Sequence, residues 1–504
     1  MTIDTGAQRT AEKEFIMKQV LAFDFGASSG RAMLGRYEDG KMTMTEIHRF
    51  SNDTVTATGT MYWDILRLWF EVKQAFYKLR AAGEHIDAVG IDTWGVDFGL
   101  IAKNGKLLSN PVHYRDARTH AIPDEVFRIL PEAEIYRRTG IQTMHFNTLY
   151  QLYYLAHYEP ELLALTDKIL MIPDLFAYFL TGEKRIERTN ASTTNFLNPE
   201  TREWDTDLLE KLGIPTGILP ELIEAGDTYG RITPEMAEEL GVGEIPVIAV
   251  CTHDTGSAVA AAPAEGDFAY ISCGTWSLFG TELAKPLITE ASARVQYTNE
   301  GGYRGTTRFL KNIMGLWLIQ ESRREWIRRG EEVTFSDLER EALAAKPFLS
   351  FIDVDDRLFE SAGDLPGRVV EYCRRTGQPV PATRGEIMRC IYQSLAMKYK
   401  FTFENLVRMT GVRYPHIHML GGGIKDTLLC RMTAAATGAT VLAGPTEATV
   451  MGNIAVQMIA LGELPSWQAA RGVIGASTPL ATYEPEDPAA WDNAYETYLC
   501  VTKK

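Results

Sequence analysis

The chain has 504 residues, 45% hydrophobic, 23% charged and 10% aromatic, an ordinary globular composition at a length beyond what one hydrophobic core serves, so two or more domains are expected. Its 51 Lys+Arg against 66 Asp+Glu give a formal charge of −15, which repels phosphate backbones and anionic lipid and argues against nucleic acid and membrane surfaces as partners. A small phosphorylated ligand stays open, because glycine-rich turns and helix N-termini supply positive potential locally.

The longest apolar stretches, such as Ile245 to Pro263, are interrupted by charge, here His253 and Asp254, and fall short of the roughly 20 residues that span a bilayer. Residues 1–17 are polar, lack an apolar signal core and read as a flexible tail, with Met17 as an alternative start. Six cysteines without a C-x-x-C pair fit a reduced, cytoplasmic protein. Cys373 and Cys390, on helix-like segments joined by TGQPVPAT, are the pair that folding can bring side by side.

In chain order, Val20 to Phe25 is an apolar run through Asp24, followed by a small-residue turn over 26–30. Arg31 to Tyr37 and the alternating MTMTEIHRF come next, which reads as antiparallel strands opening a domain. Tyr62 to Ala82 has helical spacing and stops before Gly83. DAVGIDTWGVDFGLI is expected to be one strand, in which Asp92, Trp94 and Asp97 alternate toward a pocket wall or, as plain structure, form a buried Trp with capped acids. Residues 147–182 and 205–240 read as helical, broken by Pro and Gly. Pro246 to Cys251 is a short apolar strand with His253-Asp254 at its carboxyl end and a small-residue helix after it, the end of a strand at which open α/β sheets bind ligands. Past the linker-like AAAPAEG, FAYISCGTWSLFG repeats the opening strand, turn, strand shape, so a second domain on the same plan is expected from about Pro263. Arg384 to Met409 reads as a helix, HIHML as a strand, Gly421-Gly422-Gly423 as a turn and Thr427 to Thr437 as a helix; no element is assigned after Leu461.

Several of these segments carry groups capable of chemistry. Asp24 followed by G-A-S-S-G-R is either a hairpin turn or a loop whose amides approach phosphate while the carboxylate holds Mg²⁺. The same letters match G-x-S-x-G with Ser28 as an esterase nucleophile, but that elbow needs a helix where a β pattern follows. Asp254 suits either a proton acceptor or a helix N-cap, and His253 beside it either a ligand or a structural side chain. Tyr114 to Arg118 reads as a surface ion-pair run, and Gly421 to Gly423 as a turn or a close approach to a nucleotide. No G-x-x-x-x-G-K-[ST] occurs.

In order along the chain, AFDFGASSGR, GIDTWGVDF, YRDAR, NTLYQL, TNAS, HDTGSAV, GTWSL, LKNIMGLWLIQ and GGG resemble the FGGY carbohydrate kinases, over about Lys18 to Leu461. The resemblance implies an α/β protein of two ribonuclease-H-like domains, as in actin, hexokinase and Hsp70-type ATPases, around a central cleft. It places a sugar-side domain at 18–262 and an ATP-side domain at 263–465, with 466–504 as an unplaced extension. Carried over, the phosphate loop falls on Ala27, Ser28, Ser29, Gly30 and Arg31, with Asp24 near the metal. Sugar contacts fall on Trp94, Gly95, His253, Asp254, Thr255 and Asn312, further ATP contacts on Thr275, Gln320 and Gly422, and the catalytic base on Asp254. The implied reaction is Mg²⁺- and ATP-dependent phosphorylation of a ketose at its C1 hydroxyl, with L-rhamnulose as the expected acceptor. Fuculose, xylulose or glycerol are alternatives within the family; outside enzymes, the alternative is an actin-type nucleotide switch.

Overall fold

The structure is a computed structural model that describes residues 18–503; the expected tail and Met17 lie outside the described residues. Two sheets of matching order organise the chain. The first is six-stranded and uses β1 (Gln19–Phe25), β2 (Ser29–Glu38), β3 (Lys41–Ser51), β4 (Ala88–Asp92), β5 (Thr228–Arg231) and β6 (Pro246–Ile248) in the order β5-β6-β4-β1-β2-β3. The second is seven-stranded and uses β7 (Ala269–Cys273), β8 (Trp276–Leu283), β9 (Thr298–Gly301), β10 (Thr307–Met314), β11 (His416–Leu420), β12 (Thr440–Ala443) and β13 (Ala481–Tyr483) in the order β9-β10-β8-β7-β11-β12-β13.

In both sheets an antiparallel run, β1-β2-β3 in the first and β7-β8-β10-β9 in the second, is flanked by two strands parallel to its first member and then by an antiparallel edge strand. The central strands are apolar and buried on both faces, as parallel strands covered by helices must be.

The helices that matter for the cleft are α1 (Ile65–Ala81), α2 (Asp254–Ala260), α3 (Arg384–Thr410), α4 (Thr427–Thr437), α5 (Ala448–Ala460) and α6 (Trp467–Ser477). Helix α3 starts in a capping box, with Thr383 N donating to Glu386 at 3.1 Å and Glu386 N to Thr383 at 3.2 Å, and stops at Gly411, whose φ of 70° suits glycine.

Each sheet has its own apolar cluster, and a third joins them: Val20 and Ala22 of β1, Val259 of α2, Tyr270 of β7, and Met451 and Ile454 of α5. Helix α5 follows β12 of the second sheet in sequence yet packs on β1, β4 and α2 of the first. The extension that sequence reading left unplaced is also built in: α6 lies on β3, with Ser477 Oγ accepting from Met42 N at 2.8 Å, and β13 forms an edge of the second sheet.

The structure corrects several expectations. Tyr62 and Trp63 end a strand over Thr60–Trp63, so the helix begins only at Ile65. The single strand expected over DAVGIDTWGVDFGLI stops at Asp92, turns through Val96 at φ 66°, and resumes as Phe98–Ala102 in a separate pair with Thr166–Met171. That partner strand was read as helix, and 205–240 holds two short strands besides its helices. Cys373 and Cys390 are neighbours but form no disulfide, and the other four cysteines are free as well. Among the described residues no helix is long and apolar enough to cross a membrane.

Candidate functional site

The carboxyl ends of β1, β4 and β6 bring acids together. Asp24 and Asp92 are register partners across the parallel pair β1–β4, and Thr93 bridges to His253 just beyond β6, which sets Asp254 beside them. Opposite, the ends of β7 and β11 present Cys273-Gly274 and Gly421-Gly422-Gly423. Between them opens a cleft of about 490 Å³, within the range of small-ligand sites.

Of the residues singled out from the sequence, Asp24, Ala27, Ser28, Ser29, Arg31, Trp94, Gly95, His253, Asp254, Thr255, Thr275, Asn312, Gln320 and Gly422 all line this cleft. Gly30 does not. A Cβ there would meet the Phe50 ring at 2.3 Å, so this glycine serves packing under the turn. Asn52 fixes the turn itself, donating from Nδ2 to Gly26 O at 2.9 Å and from its backbone N–H to Ser28 O at 3.1 Å. The Arg31 guanidinium donates to Asp24 Oδ2 from Nε at 3.1 Å and from Nη2 at 2.7 Å, and its Nη1 pairs with Glu447 from the turn between β12 and α5.

Asp92 and Asp97 are fully buried and stand behind the cleft wall, so of the two readings open from the sequence the buried Trp with capped acids is the one found, not acids aimed at a ligand. Asp97 is a hub: its carboxylate accepts from Trp63 Nε1 at 2.6 Å, Trp94 Nε1 at 3.1 Å, Tyr114 N at 3.1 Å and Gln151 Nε2 at 3.0 Å. Burial outweighs these donors and pushes it up to about 6. Trp94 is thereby clamped and packed at a tilt against Trp63, ring centroids 4.0 Å apart. Asp92 is pushed well above its ordinary value by burial first and by the charge of Asp24 second, against the opposing hydrogen bond from Asn453 Nδ2 at 2.6 Å.

Asp254 lies in the first turn of α2, one residue past His253, which occupies the N-cap position without a capping side-chain bond. Its Oδ1 accepts from Thr255 N at 2.6 Å, and burial raises its proton affinity, helped by Asp24 and opposed by His253. Its side chain is 31% exposed, so a carboxylate of raised basicity opens on the cleft.

The three glycines differ in what holds them. Gly421 has φ +87°; a Cβ on Gly423 would sit 2.5 Å from Cys273 Sγ; a Cβ on Gly422 meets nothing within 4 Å and borders the cleft. Gly95 is tight for a reason not expected, since a Cβ there would meet the Thr193 side chain at 2.9 Å.

Sequence reasoning missed Gln142, Phe146, Trp276 and Glu300, all of which line the cleft. Gln142 Oε1 accepts from Asn312 N at 3.0 Å, joining the two sides, and Phe146 faces Trp276 across 6.1 Å. Trp276 lies inside the quoted GTWSL, and an aromatic residue two positions past Gly274 was the available signal; nothing local marks Gln142.

Residues 19–261 match the family model for the N-terminal domain of the FGGY family of carbohydrate kinases, and residues 269–461 match its C-terminal domain model. A Bacteroides thetaiotaomicron protein named Rhamnulokinase is 43% identical over 481 residues, 95% of this chain and 98% of that one. A Bacillus subtilis protein of the same name is 41% identical over 467 residues, 92% and 95% of the two chains. Among solved structures, ligand-bound xylulose kinase from Lactobacillus acidophilus aligns with a TM-score of 0.79 at 17% identity, over 96% of this chain and 97% of that one. Plasmodium falciparum glycerol kinase with ADP aligns at 0.76 and 15% identity, over 96% and 98%. The two-domain actin-like fold expected from the sequence is therefore present, and the chain belongs to the FGGY family of carbohydrate kinases.

Proposed function

We propose that the protein transfers the γ-phosphoryl group of ATP to the C1 hydroxyl of L-rhamnulose, giving L-rhamnulose 1-phosphate and ADP. The observation that carries this reading is Asp254, a carboxylate of raised proton affinity at the cleft, between acids of one sheet and glycine backbone of the other. Identity of 40% or more over nearly the whole chain to proteins named Rhamnulokinase supports this sugar over fuculose, xylulose or glycerol.

In this reading, residues 18–262 form the sugar side and 263–465 the ATP side, while 466–504 contributes to both sheets through α6 and β13. The sugar lies against Trp94, Gly95, His253, Thr255 and Asn312, and the phosphates lie between Ala27 to Ser29 and the Gly422 backbone, with Thr275 and Gln320 along the nucleotide. Asp254 takes the proton of the attacking hydroxyl; Thr255 N holds Oδ1, which leaves Oδ2 to receive it. Phosphoryl transfer needs alignment and charge neutralisation more than covalent help, so one base and a cradle of amides suffice.

The residues present also fit Mg²⁺. Asp92 Oδ1 is buried without a hydrogen-bond partner, and its register partner Asp24 lines the cleft as a hard oxygen donor. Among the described residues no three or more His, Cys, Asp or Glu groups form a cage, a donor set suited to an ion held by one or two carboxylates together with phosphate oxygens. Asp24, backed by Asp92, would hold it, and bound there it would neutralise charge on the phosphates.

A coupled assay of ADP release with L-rhamnulose, L-fuculose, D-xylulose and glycerol tests the reading. The largest kcat/KM is expected with L-rhamnulose. A larger value with another acceptor overturns the substrate, and ATP use independent of any acceptor overturns the kinase reading.

A further inference from the structure

The groups behind His253 come from the other sheet. Arg308 of β10 is 1% exposed and Glu300 of β9 4% exposed, and Arg308 Nη1 stands 3.0 Å from Glu300 Oε2. Arg308 Nε donates to Gly301 O at 2.8 Å, and its Nη2 reaches His253 Nδ1 at 3.1 Å. A guanidinium has donors only, so Nδ1 must accept, and the proton of a neutral imidazole is then on Nε2. That nitrogen is 3.5 Å from Asp254 Oδ1, and His253 lines the cleft. Glu300 Oε2 also lies 3.3 Å from Nδ1 and is paired with Arg308; burial, the largest influence on its carboxyl, raises it, and Arg308, His253 and Asn312 together hold it below the ordinary range.

We infer that Arg308, fixed by Glu300, is a positioning residue that holds His253 in its Nε2–H tautomer. In this form His253 presents a donor to Asp254 and to the oxygen of the acceptor sugar, and keeps the carboxylate oriented as a base. The inference rests on phosphotransfer at this cleft. Because Arg308 and Glu300 belong to the second sheet and His253 follows the first, the tautomer is set only while the two sheets are apposed. The arginine therefore ties the readiness of the sugar site to the packing of the halves, without itself touching substrate.

The test uses the full chain labelled with ¹⁵N-histidine and free of ligands, with the His253 signals identified by their loss in His253→Gln. Long-range ¹⁵N–¹H spectra of the wild type are expected to show Nε2 protonated and Nδ1 bare. A double variant, Arg308→Met with Glu300→Gln, leaves no buried charge alone. It is expected to lose that signature and about 10- to 100-fold in kcat/KM for L-rhamnulose, the range seen when a group that orients a histidine is removed, with KM for ATP little changed. Arg308→Lys keeps a donor and a charge and should restore most of both. If the double variant fails to fold, the wild-type spectrum and Arg308→Lys decide. A wild-type ring protonated on Nδ1, or on both nitrogens, overturns the inference, as does a folded double variant with unchanged tautomer and turnover. Absence of ketose-dependent ADP release by the wild type overturns the proposed function instead, and the spectrum still reads the tautomer.

Discussion

The two sheets share a strand order but not a chemistry. At the carboxyl ends of its parallel strands the first half carries Asp24, Asp92 and, past β6, Asp254, whereas the second ends β7 in Cys273-Gly274, β11 in Gly421-Gly422-Gly423 and β12 in Gly444-Pro445. The carboxyl ends of parallel strands are where open α/β sheets bind ligands, and both halves present them to the cleft. What differs is what stands there: carboxylates, which move protons and attract cations, against bare backbone, which lets an anion approach N–H groups. A duplicated scaffold thus supplies geometry twice and chemistry once on each side, and the cleft needs both.

The comparison is broken most severely at Asp254. Asp254→Asn should lower kcat by roughly 10²- to 10⁴-fold with KM for ATP little changed, since the amide cannot take the proton. In the wild type, the acid limb of kcat/KM should lie above the ordinary Asp value of about 4, because burial raises Asp254 and protonation removes the base. A steady-state pH profile with near-normal turnover in the variant would refute the assignment.

Asp24→Ala comes next. It should weaken apparent Mg²⁺ affinity about 10- to 100-fold, measured from the metal dependence of ADP release, while Arg31 stays anchored by Glu447. A defect confined to KM for the sugar would place the turn with the wrong substrate.

On the glycine side, Gly422→Ala should fold normally, because its Cβ has open space, yet raise KM for ATP by roughly tenfold, a cost of about 1.4 kcal/mol for a methyl standing in the nucleotide path. Unchanged ATP kinetics would mean that the backbone of this side is not the cradle.

The smallest effect is on stability. Asp97 has a folded value of about 6 against an unfolded value near 4, so between these pH values the native chain binds the extra proton. Stability therefore falls as pH rises through that window, by an amount on the order of 3 kcal/mol, and levels off above about 6. Asp97→Asn should remove this slope, and melting temperatures recorded from pH 4 to 7 for both proteins check it; parallel curves would contradict it.

Long periodic segments were legible: the helix read over Thr427 to Thr437 has those bounds, and the one read from Arg384 to Met409 ends a residue later. Local glycine turns and the strand-end acid pattern were legible too, since each depends on neighbours in sequence. The strand over Thr166–Met171 was hidden because TDKILM between helical runs carries no alternation. The role of Asp97 stayed open because its four donors come from four separate segments, and the contact of Arg308 with His253 joins residues 55 apart. Nothing in either segment alone announces such a partner.

Helix α5 gives this architecture a timetable. Its Asn453 holds Asp92, and its Gln457 donates to Leu21 O at 3.2 Å, so the first sheet is covered by residues made some 350 positions after β4. At about 5–20 residues per second, a nascent chain waits roughly 20 to 70 seconds between finishing β4 and receiving its lid. During that interval Val20, Ala22 and Val250 lack their α5 neighbours in the shared cluster. A chain ending at residue 262 lacks the α5 side chains that bond Asp92 and Leu21 in the finished protein.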